Sequence, residues 1–255
     1  MPITASQVNE LRQKTGISMM QCKKALEEAD GNEKKAMDIL RKKGADKAAE
    51  KADRQMREGI ILAKVEGDKA VIVTQYCETD FVAKNEEFRA IAEKAAETAL
   101  KEGVEAAKTG AEPALKELFI KLGENMSIEV DALEGEGLGE YVHTNSKVGA
   151  IVKLNKTDSK KARDVAMHIT AMNPEVVSPD DLPEDVVIRE REIWTEQLKN
   201  EGKPAEIVDR ILQGKEKKFR EESALLKQAF VKDGDKTVED YLEDNTVEMF
   251  VRKSI

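Results

Sequence analysis

A β-rich run that leads into a helix occurs twice in the chain, and this repeat constrains the fold more than any other feature. The first run contains Val71–Val73 and the second Ala150–Val152, and each is followed by a Thr-Asp pair, at Thr79 and at Thr157. A further β-rich segment precedes each run, and apolar residues at helical spacing come after it. The sequence therefore predicts an α+β core of two related strand-strand-helix halves with antiparallel sheets.

The two copies differ immediately after the Thr-Asp pair. The second copy enters a helix, predicted over 159–172, almost at once, whereas the first inserts residues 81–88. Asn85 is placed to cap the helix of the first copy. By residue type alone, Asp80 is most simply a turn or cap residue and Phe81 a core aromatic. The presence of the insertion in only one copy favours instead a role in contacting a partner.

Caps and glycines divide the N-terminal region into three short helices. Thr4, Ser18 and Asn32 are placed at helix starts, and Gly16 and Gly44 at helix ends. A charged helical segment, residues 45–56, comes next as a solvated connector. We therefore expect a small three-helix domain with a linker.

A helical hairpin is predicted after the second strand-strand-helix copy and before the C-terminal region. Two charged helical patterns, 184–200 and 205–220, flank a turn at residues 202–204. Their apolar seam is too narrow for a globular core and suits a projecting arm. The residues expected to face one another across it are Val187, Trp194 and Leu198 on one helix and Ile207, Ile211 and Leu212 on the other.

These elements define the predicted domains. The N-terminal domain with its linker is residues 1–55, the first core half 56–140, the second core half 141–182 with 224–255, and the hairpin 183–223. Further elements are predicted within the halves: strands at 59–65, 69–77, 127–133, 141–144, 148–154 and 247–251, and helices at 113–122 and 237–245.

Composition and motifs exclude several classes of function. The formal net charge of -9 argues against a protein that mainly binds a phosphate backbone, so we expect no direct contact with nucleic acid. No Gly-x-x-x-x-Gly-Lys-Ser/Thr loop is present, so the chain should not bind GTP in that way. The two His and two Cys lie far apart and predict no zinc site, and no Ser-His-Asp constellation stands out. We expect no cofactor, no metal and no enzymatic activity.

The cellular setting is indicated by features of the termini and the cysteines. The sequence has no transmembrane run, and its start lacks a secretory signal. Cys22 and Cys77 suit reduced thiols. The expectation is a cytoplasmic protein with no membrane contact. His168, which lies in a helical run of apolar residues, is expected in the core.

Two segments resemble the signatures of the bacterial elongation factor Ts family. They are residues 11–26, LRQKTGISMMQCKKAL, and residues 79–84, TDFVAK. Residues 122–125, 166–169, 202–204 and 217–219 agree as well, so the resemblance covers nearly the whole chain. The family usually carries Glu and Asn shortly before the second signature, where this chain has Gln75 and Tyr76. Longer family members continue into a C-terminal module, and we expect its partner contacts to be missing here.

The resemblance implies a guanine-nucleotide exchange factor that binds elongation factor Tu in its GDP-bound and nucleotide-free states. It implies an N-terminal domain that is similar to ubiquitin-associated domains and holds the partner's nucleotide-binding domain. The core would act at the partner's magnesium and phosphate site. The partner-binding residues implied by the resemblance are Arg12, Met19, Met20, Thr79, Asp80, Phe81, Val82 and His143.

These implied residues have distinct expected roles. Phe81 would wedge between two partner helices, since burying an aromatic side chain is worth roughly 1.5–3 kcal/mol. Asp80 would accept hydrogen bonds near the metal and disturb magnesium coordination. His143 matches a family position that pushes on the phosphate-binding loop, although a lone His is usually structural or merely exposed. Of Met19 and Met20, one can face the bundle while the other is exposed, and the alternative is that both are partly buried.

Three functions remain open from the sequence. The first is the exchange factor, and the second is an adaptor whose N-terminal domain binds some other protein without speeding nucleotide release. The third, an unrecognised enzyme, is disfavoured because no acid-base or metal cluster is present. The charged hairpin is typical of a solvated face, and self-association through it is a further possibility.

Overall fold

Helix caps shape the N-terminal region as the sequence predicts. The computed structural model describes residues 3–51 and 54–255, and it begins with α1 (Ala5–Thr15), α2 (Met19–Glu28) and α3 (Glu33–Lys51). The predicted caps at Thr4, Ser18 and Asn32 all accept hydrogen bonds from backbone N–H groups. Apolar side chains of the three helices share one small core. The three-helix domain is therefore confirmed.

The predicted end of the third helix at Gly44 is wrong. The helix α3 continues to Lys51, and Gly44 marks a close contact instead. A Cβ atom at this position would lie 2.4 Å from Cγ1 of Ile120 in the first core half. Glycine lets the backbone of α3 lie directly against the Ile120 side chain, because a Cβ atom at this position would overlap it. Within the predicted connector, residues 52 and 53 lie outside the described residues.

The first core half contains an antiparallel sheet in the order β1–β2–β3. Its strands are β1 (Glu58–Glu66), β2 (Lys69–Cys77) and β3 (Met126–Glu134). The turn between β1 and β2 contains Gly67 and Asp68, as predicted. Because successive side chains of a strand point to opposite faces, Val71 faces the helices and Ile72 faces the second sheet. The central strand is therefore buried on both sides.

Three helices join β2 to β3. They are α4 (Asp80–Ala83), α5 (Glu86–Glu102) and α6 (Val104–Leu122). Asn85 caps α5 through its side chain, as predicted. The predicted start of α6 at Pro113 is wrong, because the helix begins at Val104 and contains this proline. Ala107, Ala111, Leu115 and Leu118 keep helical spacing across it and are buried, so burial outweighs the local cost of the proline.

The second half begins with β4 (Leu138–Val142), β5 (Val148–Leu154) and α7 (Ser159–Met172). The positions of β5 and α7 are as predicted, but β4 starts earlier than the expected strand at 141–144. Its low strand propensity comes from Gly139, where a Cβ atom would lie 2.5 Å from the backbone of Ala162 in α7. The predicted boundary between residues 140 and 141 therefore falls within β4.

The predicted antiparallel hairpin is formed by α8 (Glu184–Asn200) and α9 (Ala205–Ser223). Val187, Leu198 and Leu212 of these helices are buried, and Trp194 of α8 packs edge-on against Phe219 of α9 with ring centroids 5.6 Å apart. The expectation for Ile207 is wrong, since its side chain is exposed. This residue precedes Leu212 by five positions, so at 3.6 residues per turn it lies about 140° away around α9.

The C-terminal region returns to the second half, as predicted. It contains β6 (Ala229–Phe230), β7 (Asp233–Thr237), the short helix α10 (Val238–Leu242) and β8 (Val247–Ser254). Both α10 and β8 differ from the predicted ranges at their ends. The strand β8 pairs antiparallel with β5, which gives the second sheet the order β4–β5–β8.

The two halves stack in the order helix, sheet, sheet, helix. The core between the sheets includes Ile61 and Ile72 from the first half and Leu138 and Ile151 from the second. The helix α5 covers the outer face of the first sheet, and α7 covers the outer face of the second. The chain thus has the predicted α+β architecture. Within residues 3–51 and 54–255, no helix is both long enough and apolar enough to span a membrane.

Candidate functional site

The candidate site begins where the central strand β2 ends. Cys77 forms the last residue pairs of this strand, with Glu58 of β1 and Met126 of β3. Its buried thiol donates a hydrogen bond to the backbone oxygen of Thr79 over 3.2 Å, and burial raises the pKa of this thiol to about 12. The thiol therefore stays protonated at neutral pH and helps to close the end of the strand.

The next residues form a single helical turn with two different faces. Val82 and Ala83 are buried in the core of the first half, whereas the Phe81 side chain is 81% exposed. The core position that residue type alone suggests for Phe81 is therefore wrong. Val82, which the resemblance places among the partner contacts, has its side chain buried and anchors the turn. The turn presents an aromatic ring to solvent from a fixed base.

Asp80 occupies the first position of this turn, with half of its side chain exposed. The Nζ atom of Lys84 donates a hydrogen bond to Oδ2 of Asp80 over 2.7 Å, and this bond lowers the pKa of the carboxyl group. Asp80 is therefore ionised at neutral pH and can only accept hydrogen bonds. Because an exposed ion pair of this type is weak, a donor from another molecule can replace Lys84.

Two further carboxylates hold the start of the turn. Glu124 accepts hydrogen bonds from the backbone N of Thr79 over 3.1 Å and from its Oγ1 over 2.8 Å. Glu78 accepts from the backbone N of Asn125 over 2.8 Å and from Arg54 over 3.3 Å. Residue type and spacing do not identify Glu78 or Glu124 as site residues. The only signal for Glu124 is the agreement of residues 122–125 with the family.

His143 lies at the same end of the core as the turn. It is exposed, and it precedes the turn between β4 and β5. Ser146 in that turn accepts a hydrogen bond from Ile61 N over 2.7 Å, and Lys147 pairs with Glu58. Since Glu58 is also the partner of Cys77 in the first sheet, the loop that carries His143 is joined to the strand β1, which also contacts the turn α4.

The N-terminal domain carries the other residues implied by the resemblance. Arg12 is exposed on α1, and Met19 and Met20 are 48% and 66% exposed at the start of α2. The expectation that one of the two methionines faces the bundle is therefore wrong. The physical reason is that the buried face of α2 begins one turn later, at Cys22.

This domain rests on the end of α6. Ile120 packs against the core of the domain. The side chain of Lys121 lies against Gly16, and its Nζ forms an ion pair with Glu87 over 2.6 Å. Gly123, which borders the cleft beneath the domain, is the neighbour of Glu124. A continuous segment thus leads from the N-terminal domain to the base of the Phe81 turn. The structure does not place Arg12 or the methionines in direct contact with that turn.

Gln75 and Tyr76 stand where the family usually carries other residues, and both belong to the scaffold of the site. Gln75 is fully buried, and its Nε2 donates a hydrogen bond to the backbone oxygen of Phe88 over 3.0 Å. This contact ties β2 to the first turn of α5. Tyr76 is partly buried, and burial raises the pKa of its phenol. Among the described residues, no three His, Cys, Asp or Glu side chains come together as a metal site.

Comparison with known proteins identifies the family. A family model described as "Elongation factor TS" matches residues 78–255. A protein named "Elongation factor Ts" from Hydrogenovibrio crunogenus is 43% identical, over 100% of this chain and 92% of that protein. The protein of the same name from Deinococcus deserti is 42% identical, over 97% of this chain and 98% of its own length.

A third relative agrees with these two. The "Elongation factor Ts" of Hahella chejuensis is 43% identical, over 94% of this chain and 87% of that protein. The match to the family model includes the exposed Phe81, the two carboxylates that hold its turn, the part of the first half that follows β2, and the second half. The chain therefore belongs to the elongation factor Ts family and is a translation elongation factor.

Proposed function

We propose that this protein is a guanine-nucleotide exchange factor that binds elongation factor Tu and displaces its GDP. It binds both the GDP-bound and the nucleotide-free partner, and it favours the nucleotide-free state. By reciprocity, it then weakens nucleotide binding by the same factor. No catalytic group is needed for this, so the protein acts by binding alone. The protein acts in the cytoplasm, where it supports translation elongation.

The observation that carries the proposal is the exposure of Phe81 on an anchored turn. A solvent-exposed phenyl ring costs free energy in the isolated protein, and it gains about 1.5–3 kcal/mol when a partner buries it. If burial occurs mainly in the nucleotide-free complex, this gain corresponds to about one to two decades in nucleotide affinity. In this proposal, Phe81 enters a space between two helices of the partner.

Asp80 adds an electrostatic contribution to the proposed mechanism. Its carboxylate is ionised, and its exposed partner Lys84 can be replaced. It can therefore accept hydrogen bonds from partner groups near the magnesium ion and draw them away from the metal. His143 approaches the partner from the neighbouring loop, while Arg12, Met19 and Met20 hold its nucleotide-binding domain.

The test is the release of labelled GDP from purified elongation factor Tu, with and without this protein, at low and high magnesium concentrations. We expect acceleration by the wild type and, with Phe81→Ala, a loss of about ten- to a hundredfold in the maximal rate. A rate within twofold of wild type in a folded Phe81→Ala protein would refute the wedge.

Val65→Ala is the matched control. Val65 is also an exposed apolar residue of the first sheet, but it lies beside the β1–β2 turn, at the opposite end from Cys77. Its truncation should leave GDP release unchanged. Stable binding of elongation factor Tu without faster release would support the adaptor function instead. Self-association through α8 and α9 stays a prediction, which sedimentation velocity of the isolated protein can test.

A further inference from the structure

The first half contains a reciprocal contact between two neighbouring segments. Glu78, the first residue after β2, accepts a hydrogen bond from the backbone N of Asn125, the last residue before β3. Glu124 accepts one from the backbone N of Thr79 in return. Each segment thus gives one side chain to the backbone of the other, beyond the point where the sheet pairing ends. We name these four residues the carboxylate clasp.

The second half has the same contact at equivalent positions. Asn155, the first residue after β5, accepts from the backbone N of Thr246, the last residue before β8, over 2.9 Å. Asn245 accepts from the backbone N of Lys156 over 3.2 Å. We name these four residues the amide clasp. Because the positions match one for one, the clasp belongs to the repeated plan of the core.

The two clasps support different structures. The amide clasp is followed by Asp158, which caps α7 directly. The carboxylate clasp is followed by α4, a single turn that holds Phe81 and Asp80. An isolated helical turn is unstable, because fixing its backbone costs more than one hydrogen bond returns. The direction of Phe81 therefore depends on what holds the two ends of α4.

The hydroxyl of Thr79 shows how the start of α4 is held. Other Thr caps of this protein, such as Thr4, accept a hydrogen bond from their own helix. Thr79 occupies the cap position of α4 without such a bond, and its Oγ1 donates to Glu124 instead. The charged acceptor makes this bond stronger than a neutral one. The turn is thereby fixed to the β3 side of the sheet, while Val82 fixes its other end.

We infer that Glu78 and Glu124 are positioning residues for nucleotide exchange. They preset the direction of Phe81 and Asp80, so the turn does not lose conformational freedom when it enters the partner. Their carboxylates already accept hydrogen bonds from groups of this chain, namely backbone N–H groups, Thr79 Oγ1 and Arg54, and they need not touch elongation factor Tu. This inference rests on the proposed exchange function.

Saturation kinetics of GDP release test the inference. Glu124→Ala should lower the maximal rate about tenfold and change the half-saturating concentration less than twofold, since the N-terminal domain still binds. Glu124→Gln keeps one acceptor and should recover most of the rate. Thr79→Val should lower the rate, and Thr79→Ser should preserve it.

In a Phe81→Ala background, Glu124→Ala should change the rate less than twofold, because Glu124 acts by positioning the Phe81 ring.

Asn245→Ala, in the amide clasp, is the matched control. It should lower the stability of the core but leave the maximal rate of GDP release within twofold of wild type. If Asn245→Ala and Glu124→Ala lower the rate equally at equal stability, the effect is general loosening and the inference is wrong. Full additivity with Phe81→Ala would also overturn it.

Amide hydrogen exchange of the isolated protein separates this inference from the proposed function. Glu124→Ala should abolish protection of the Thr79 amide and speed exchange in residues 80–83, whereas Glu97→Ala, which removes an ion pair elsewhere in the first half, should not. Unchanged protection would show that the clasp does not hold the turn. Absence of exchange activity in the wild type would instead refute the proposed function.

Discussion

In each half of the core, a central strand is buried on both faces and ends in a clasp, but only the first half places a helical turn between clasp and helix. In the second half, Asp158 caps α7 directly, whereas in the first half Asn85 caps α5 only after Phe81 has been presented to solvent. The shared parts bury apolar surface and pair backbone groups. The added turn contributes little to the core beyond Val82 and Ala83. This comparison separates the scaffold from the part that can bind a partner.

Two phenylalanines at the ends of the insertion give the largest predicted contrast. Phe88 is fully buried, so Phe88→Ala should lower the free energy of unfolding by about 3–5 kcal/mol. Phe81→Ala should change it by less than about 0.5 kcal/mol, because the ring is exposed. Urea unfolding followed by circular dichroism measures both. A large loss with Phe81→Ala would mean that the ring packs within the protein.

The buried histidine of the second half should make stability depend on pH. The Nδ1 atom of His168 accepts a hydrogen bond from the backbone N of Val231, and its Nε2 lies 3.0 Å from Gln228 Oε1. Burial lowers the pKa of His168 below the ordinary value of 6.5. As the pH falls, the imidazole of His168 is therefore protonated in the unfolded chain before it is protonated in the folded protein. The free energy of unfolding should then decrease below about pH 6.5, by at most about 1.4 kcal/mol per pH unit.

Unfolding at several pH values checks this prediction. His168→Gln removes the titrating group and should flatten the dependence between pH 6.5 and 5. The exposed His143 provides the control, and His143→Gln should leave the slope unchanged. An equal slope in wild type and His168→Gln would assign the effect to other groups.

The helix caps that come after the two central strands should be energetically equivalent. Asn85 accepts from the backbone N of Phe88, and Asp158 accepts from that of Lys161. Asn85→Ala and Asp158→Ala should each lower the free energy of unfolding by about 1 kcal/mol. The losses should add in the double variant, since the two caps share no contact. A negligible effect at Asn85 would show that the insertion, rather than its cap, fixes the start of α5.

The smallest effect is expected at the exposed pair of Asp80 and Lys84. Lys84→Ala should leave the urea midpoint unchanged, because exposed ion pairs contribute little. The same variant frees the Asp80 carboxylate and should alter GDP release from elongation factor Tu if that carboxylate contacts the partner. A shift in the urea midpoint without any change in release would indicate a purely structural pair.

Much of the scaffold could be predicted because its signals are local. The caps at Thr4 and Asn85 and the turn at Gly67 depend on residues within a few positions of one another. The repeat itself indicated both halves and the insertion at Phe81. The helix start assigned to Pro113 failed because the local cost of proline was smaller than the burial on either side of it.

The sequence alone determined the class of fold, the repeated plan, the inserted segment in the first copy and, through its family signatures, the hypothesis of a translation factor. Only the tertiary structure decided which side chains are presented and which are held. Gly44 and Gly139 are required because Ile120 and Ala162 lie against them. Glu124 accepts a hydrogen bond from the backbone N of Thr79. These pairs lie far apart along the chain, and contacts of that kind leave no pattern in the spacing of neighbouring residues. They arise when the sheets and helices stack, because close approach and hydrogen bonding depend on distance in space.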